Sequence, residues 1–306
     1  MTIPTSPISR KLCLIALTAV SFLSVSGVVS AASSGAAGGE ISIDTQDGPR
    51  HALVFRLGDG AQPTVLVLHG ATGNAAYTAR SSGFAEAAAR RGFNAVFPGG
   101  VSRQWNDGRT GGHGGADDVE FLRALVARLV ADRIAQPDRI LVAGISNGGM
   151  MSFTMACKAA ELFAGVGTVI ASMPAGIEPC ALKPMPLVMV NGIADPMVPF
   201  EGGGVGFKGG RGTVRSVDKT AAAFVGIDGC DAKPSSQVIA RRDPSKKTSV
   251  TKIDWSGCKP GTSVTLFRVE GGGHAVAGRG ALSGLLGPST DDIVAADVII
   301  DAFAAQ

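Results

Sequence analysis

The chain is predicted to be an α/β protein built on a mostly parallel sheet with helices on both faces. Two observations carry this. Short apolar runs recur at 64–68, 94–98, 139–143, 166–170 and 186–190, and runs of that length without polar alternation read as strands buried on both faces. Helix signals alternate with them, and that order brings parallel strands together beneath covering helices.

The elements follow in order. Ile41-Ser42-Ile43 and Ala52-Leu53-Val54-Phe55 form a leading hairpin. The Thr64–Leu68 strand leads to a helix over Ala75–Arg91 and a strand over Asn94–Pro98. A glycine-rich loop, Gly99–Gly115, precedes a helix opened by Asp117 and Asp118 and running through Leu129; carboxylates at its start suit the helix dipole. The strand at Arg139–Ala143, a helix beyond Gly148, and strands over Val166–Ile170 and Pro186–Val190 come next. The segment from about Glu201 to Pro260 reads as an insertion, part lid and part extra sheet edge. A strand over Val264–Val269 and a helix from about Thr290 to Phe303 end the pattern, with Ser289 or Thr290 as N-cap. No internal repeat and no second domain is visible, so 40–306 is expected to be one catalytic domain.

Residues 1–31 are expected to be a secretory signal peptide, with an uncleaved anchor as the alternative. Arg10-Lys11 is a positive n-region, an apolar stretch follows from Leu12 to Val29, and Val29-Ser30-Ala31-Ala32 offers a small-residue cleavage site. Residues 32–39 read as a flexible tail. The product is expected to be secreted, periplasmic or extracellular, without membrane attachment after cleavage. Of 28 basic and 25 acidic residues, Arg10 and Lys11 leave with the leader, giving 26 against 25; this near-neutrality argues against nucleic acid as a partner. Without Cys13, four cysteines remain: Cys157, Cys180, Cys230 and Cys258. An even count in an exported chain suggests disulfides, and four permit three pairings. Cys157–Cys180 with Cys230–Cys258 joins the nearest neighbours and is favoured. No short C-x-x-C pair is present, which argues against zinc.

The chemistry centres on Gly144-Ile145-Ser146-Asn147-Gly148. A strand precedes it and a helix follows, the context in which a G-x-S-x-G turn exposes a nucleophilic serine. A serine hydroxyl needs a base and a group to orient that base, in the order Ser, Asp or Glu, His. Of the four histidines, His51, His69, His113 and His274, only His274 follows Ser146. It ends the glycine-rich stretch after the Val264–Val269 strand. Asp195, just past the Pro186–Val190 strand, is the best candidate for the acid, although a turn aspartate before Pro196 is its plainer reading. The oxyanion hole is assigned to the backbone amides of Ala71 and Asn147, with Thr72 in place of Ala71 if the loop is shifted by one. His69 is expected to shape that loop. Trp105, in Trp105-Asn106-Asp107-Gly108-Arg109, is a candidate substrate-binding residue of the cleft wall, or else an anchor of its loop.

These motifs, from Leu68-His69-Gly70 through Trp105-Asn106-Asp107-Gly108, Asp117-Asp118, the Ser146 pentapeptide and Asn191-Gly192-Ile193-Ala194-Asp195-Pro196 to Gly271-Gly272-Gly273-His274, resemble the secreted single-domain polyhydroxybutyrate depolymerase-like esterases and their feruloyl and acetylxylan esterase relatives. The resemblance spans about residues 40–304. It implies an α/β-hydrolase fold, no cofactor, and ester hydrolysis through an acyl-enzyme. The four cysteines fall where that family is expected to pair them. The chain departs from the family in reading His274-Ala275-Val276 where a tryptophan usually follows the histidine by two, and Ala71-Thr72-Gly73 after His69-Gly70. Without that aromatic wall, and with no polymer-binding domain or linker, small or soluble esters are expected beside hydroxyalkanoate oligomers. A peptidase with the same triad is a second enzymatic reading. A non-enzymatic binding module is opposed by the presence of all three triad candidates in order.

Overall fold

The computed structural model describes residues 1–2, 37–109, 115–177, 180–280 and 284–305. The expected signal peptide, apart from its first two residues, and most of the expected tail lie outside the described residues, as does His113. Residues 37–39, expected in that tail, open the first strand.

In chain order, β1 (Ala37–Thr45) and β2 (Gly48–Arg56) form a hairpin, followed by β3 (Gln62–Leu68), α1 (Ala75–Ser81), α2 (Phe84–Arg90) and β4 (Asn94–Pro98). Next come α3 (Asp118–Ala131), β5 (Ala135–Ile145), α4 (Asn147–Lys158), β6 (Gly165–Val169) and β7 (Leu187–Gly192). The expected insertion supplies β8 (Gly203–Gly204), β9 (Thr213–Val214), α5 (Val217–Asp228), β10 (Ser235–Val238) and β11 (Ser249–Trp255); β12 (Val264–Glu270) and α6 (Ala295–Ala304) complete the chain.

Among the described residues the main sheet has the order β1-β2-β4-β3-β5-β6-β7-β12-β11-β10. The six strands from β4 to β12 are parallel, and an antiparallel pair extends each edge. The continuous apolar runs follow from this arrangement. Leu66 and Leu68 of β3 face one core with Phe121 and Leu125 of α3, Phe153 of α4 and Phe224 of α5. Val65 and Val67 face the other, with Phe84 of α2 and Ile299 and Phe303 of α6. Successive residues of a strand point to opposite faces, so a strand covered on both sides has no polar position to spare. Truncating a buried phenylalanine such as Phe121 to alanine would cost about 3–5 kcal/mol.

The structure departs from the predicted elements in two places. The helix expected over Ala75–Arg91 is two helices. Gly83 sits between them at φ 82°, in the left-handed region that a helix interior excludes. The last helix begins at Ala295 rather than near Thr290. Residues 290–295 are used otherwise: the Thr290 carbonyl accepts from the Gly278 amide, the Ala295 amide donates to Ala277, and the Asp292 carboxylate accepts from the Arg242 amide. These bonds tie the approach to α6 down against the chain beyond His274 and against the connection between β10 and β11.

Because the central strands are parallel, β3, β5, β7 and β12 all end on one edge of the sheet. Ligand sites of open parallel sheets lie at that edge, where loops leave the strands. Disulfides join Cys157 to Cys180 and Cys230 to Cys258, the favoured nearest-neighbour pairing. The second bridge links the end of α5 to the turn between β11 and β12. It closes the later part of the insertion, while the β8–β9 hairpin lies before it in the chain.

Candidate active site

β5 runs straight into Ser146, which takes φ 54° and ψ −118°. A serine rarely adopts this conformation, and it persists only where its surroundings impose it. The Ser146 amide donates to the Val169 carbonyl at 2.9 Å, and its carbonyl accepts from Met150 at 2.9 Å, so the turn is pinned to β6 and to α4. The flanking glycines are required by close approach. A Cβ on Gly144 would lie 2.2 Å from the Gly148 carbonyl oxygen, and one on Gly148 would lie 2.2 Å from that of Leu68. The pentapeptide therefore permits a strand to turn into a helix with its central side chain presented at the sheet edge.

The Ser146 Oγ lies 2.9 Å from Nε2 of His274, and Nδ1 of His274 lies 2.7 Å from Oδ2 of Asp195. Three loops, after β5, β7 and β12, thus bring together the three side chains expected from their order in the sequence. The other carboxylate oxygen of Asp195 accepts from the amides of Met197, at 2.7 Å, and Val198, at 2.8 Å. Those bonds orient the carboxylate, which then has one oxygen free for the imidazole. Asp195 is 7% exposed and His274 is 8% exposed, so little water competes for the pair. The network assigns the proton of neutral His274 to Nδ1 and leaves Nε2 to accept from the serine hydroxyl.

Two amides remain for an oxyanion. The Thr72 amide already donates to Arg103 at 2.9 Å, and that of Gly73 to Gly70 at 3.0 Å; this argues against the shifted alternative at Thr72. Among the described residues the Ala71 amide has no such partner. Asn147 is the first residue of α4, where a backbone N–H has no partner within the helix, and the helix dipole favours negative charge there. Ala71, Asn147, Ser146 and His274 all line one cavity of about 280 Å³. A larger, open hollow of about 510 Å³ beside β1 and β2 is lined by Glu40, Arg50 and His51 among others and contains none of these groups.

His69 has the structural role expected of it. Its Nδ1 bonds the Gly70 carbonyl at 2.8 Å, and its Nε2 accepts from the Gly100 amide at 2.9 Å. That pattern places the proton on Nδ1. Burial pushes its pKa below the usual histidine value, with Arg103 and Arg50 acting in the same direction and the Gly70 bond opposing.

Trp105 is placed otherwise than a cleft wall requires. It is 1% exposed, its indole donates to the His69 carbonyl at 2.9 Å, and its ring lies 5.0 Å from that of His69. It anchors its loop to the main chain at His69. The side-chain bonds around it were not expected from the sequence. The Asn147 side chain accepts from the Trp105 amide at 2.8 Å, donates to the Trp105 carbonyl at 3.0 Å and donates to Asp107 at 2.6 Å. Asp107 is wholly buried and bonds Arg109 through both carboxylate oxygens, Nε at 2.9 and 3.0 Å and Nη2 at 2.7 Å. The residue whose backbone amide was expected to serve an oxyanion, and which lines the Ser146 cavity, therefore also holds the loop with its side chain. The only signal was the polar run Asn106-Asp107-Gly108-Arg109 at a strand end. Among the described residues no group of three or more His, Cys, Asp or Glu side chains is arranged to hold a metal ion.

The model of the family described as Esterase PHB depolymerase matches residues 52–202, which take in Ser146 and Asp195 and stop short of His274. NocK of Nocardia uniformis subsp. tsuyamanensis, a protein named as an esterase, is 31% identical over 231 residues, covering 71% of this chain and 66% of that one. Feruloyl esterase B of Piromyces equi is 26% identical over 227 residues, covering 71% of this chain and 40% of that one. This chain thus spans less than two thirds of the length of either relative. Among solved structures, an acetyl xylan esterase from Aspergillus awamori superposes with a TM-score of 0.54 at 15% identity, over 78% of this chain and 95% of that one; at that identity the likeness is one of fold. With a parallel sheet, an elbow serine and matches of this kind, the chain is similar to the polyhydroxybutyrate depolymerase-like and feruloyl esterase-like family and has the α/β-hydrolase fold.

Proposed function

We propose that the protein is an exported serine esterase that hydrolyses carboxylic esters through an acyl-enzyme. The observation that carries this reading is the unbroken chain from Asp195 through His274 to Ser146, 2.7 and 2.9 Å long, facing one cavity together with the amides of Ala71 and Asn147. In the reaction, Ser146 Oγ attacks the ester carbonyl while Nε2 of His274 takes its proton. Asp195 holds the imidazole in the required tautomer and stabilises the imidazolium. The two amides receive the charge that develops on the carbonyl oxygen. His274 then protonates the departing alcohol, and a water deprotonated by the same nitrogen releases the acid.

The names of the relatives support an ester as the substrate, and the site supports a small or slender one. Val276, two residues after His274, lines the catalytic cavity where the resembling family carries a tryptophan. Hydroxyalkanoate oligomers fit this aliphatic lining, and feruloyl or acetyl esters of plant polysaccharides are the alternative substrates. A peptidase reading gains nothing from the cleft, since no acidic residue that could receive a peptide amine lines it among the described residues. The leader read from residues 1–31 and the two disulfides support export, since such bonds persist in oxidising compartments. No helix among the described residues is long and apolar enough to cross a membrane.

The test is product release from soluble 3-hydroxybutyrate oligomers and from methyl ferulate by the wild-type protein and by Ser146→Ala. Cleavage of either by the wild type alone is expected. Equal release by both proteins would rule out Ser146 as the nucleophile.

A further inference from the structure

We propose that the cleft beside Ser146 is built to take esters that carry a free carboxylate, held by guanidinium groups at both ends of the groove. This inference rests on the esterase reading for its reaction, but its evidence is the charge lining the groove. The catalytic cavity shares Gly70, Ala71, Thr72, Ile145 and Val276 with a second hollow of about 460 Å³, so the two form one groove past the serine. Arg109 and Arg211 line the first part; Arg80, Arg103 and Arg279 line the second. Among the described residues no aspartate or glutamate lines either part. The chain as a whole has 28 basic and 25 acidic residues, so five arginines without an acid reflect a local arrangement and not a basic protein.

The five differ in how their charge is used. Arg109 is neutralised by buried Asp107, and its side chain is 7% exposed. Its remaining donor, Nη1, bonds the Arg211 carbonyl at 2.6 Å. Arg109 thereby ties the Trp105 loop to the β8–β9 hairpin and fixes the backbone from which Arg211 projects. That hairpin is seated on the site by Val205 and Val214, which pack with Met150, Ala171 and Val198. Arg211 and Arg80 have no acidic partner among the described residues. Arg103 donates only to the carbonyls of Thr72 and Gly73, which carry no counter-charge. Arg279 lies 3.6 Å from Glu86, with both groups partly solvated, a separation and exposure at which pairing is weak.

Uncompensated guanidinium groups along a groove with apolar walls create a positive potential that concentrates anions. The planar fork of arginine matches a carboxylate, which it can hold through two hydrogen bonds. Two sources of that carboxylate suit an ester cleft: the free chain end of a hydroxyalkanoate oligomer, and the uronate of an esterified acidic oligosaccharide.

Two matched pairs of ligands separate them. One is the 3-hydroxybutyrate trimer as the free acid and as its methyl ester. The other is an acetylated oligogalacturonide and an acetylated xylo-oligosaccharide. Binding is measured by calorimetry on full-length Ser146→Ala, which lacks the proposed nucleophile. At low salt the charged member of one pair is expected to bind about tenfold more tightly than its neutral partner, as two or three partly exposed ion pairs allow. The pair that responds identifies the source. The ratio is expected to fall toward one when salt is raised to about 0.5 M, where the screening length is only a few ångströms, and when Arg211→Gln or the double change Arg80→Gln/Arg279→Gln is added. Both sites are on the surface, so the fold is retained. Equal binding within both pairs, tighter binding of the neutral members, or no binding of any member overturns the proposal. Hydrolysis of the same ligands by the wild type separates the two readings. Cleavage without charge preference in both binding and turnover sinks the carboxylate proposal alone. Charge-selective binding without any Ser146-dependent cleavage supports it and sinks the esterase reading.

Discussion

Two loops at the same edge of the sheet each present a buried histidine, and they do different work. The loop after β3 carries His69, with both ring nitrogens bonded to main chain, at the Gly70 carbonyl and the Gly100 amide. The loop after β12 carries His274, with one nitrogen on a carboxylate and the other on a hydroxyl. A ring held by two backbone groups is fixed in one neutral tautomer and stiffens its loop. A ring held between an acid and an alcohol can gain a proton at Nε2 while its partner stabilises the resulting charge. Burial does not separate the two histidines; the chemistry of their partners does.

That contrast is open to direct attack. The largest effect is expected at the β12 loop. His274→Ala or Ser146→Ala should lower kcat by on the order of 10³–10⁶-fold, leaving only what binding and the oxyanion amides contribute; ester hydrolysis under substrate saturation measures this. Asp195→Asn should lower kcat by about 10⁴-fold with little change in fold, because the amide disturbs the imidazole tautomer. If instead KM rises with kcat preserved, Asp195 is a substrate contact and not an orienting group.

A smaller effect belongs to the β3 loop and its support. Asp107→Ala leaves Arg109 buried without its partner and removes a bond to Asn147. The expected loss is about 3–5 kcal/mol of stability, read by denaturant unfolding, with kcat reduced through a shifted Asn147 amide. For His69 the sign of the pH effect follows from its lowered pKa. The folded state holds fewer protons than the unfolded one, so the contribution to stability is complete above the ordinary histidine value. It is lost as pH falls through the folded pKa. His69→Gln should flatten that acid limb of a Tm-against-pH curve, and an unchanged curve would show that His69 is not the group responsible.

The smallest effect lies away from the site. Burial raises the Asp228 carboxyl to about 6, against the opposing influence of the Met185 amide and Lys259. A raised acid pKa means the folded state holds the extra proton, so stability falls as pH climbs through the range from the ordinary aspartate value to about 6 and then levels off. Asp228→Asn should raise Tm by a few degrees near pH 7 and much less near pH 4.

What the sequence disclosed follows steric and topological necessity. Gly144 and Gly148 are legible because any side chain there meets backbone, and the order Ser146, Asp195, His274 is legible because the sheet places those strand ends together. The disulfides were legible from cysteine count and spacing. What remained hidden depends on tertiary choice. Trp105 reads equally as wall or anchor until its indole is found on the His69 carbonyl. The break at Gly83 and the late start of α6 depend on which backbone groups find partners elsewhere in the fold. β10 is exposed throughout and carries no burial pattern to read. For α5 a signal existed: Val217, Thr220, Ala221 and Phe224 are buried, with Asp228 one turn further on, and they recur at helical spacing.

The central claim is that Ser146 is activated by His274, and covalent labelling tests it most directly. The intact protein is treated with a serine-directed fluorophosphonate and the adduct is located by peptide mass mapping, in the wild type and in His274→Ala. One adduct per chain on the peptide containing Ser146, formed far more slowly in His274→Ala, is the predicted result. Labelling at another residue, or at the same rate in both proteins, would contradict it.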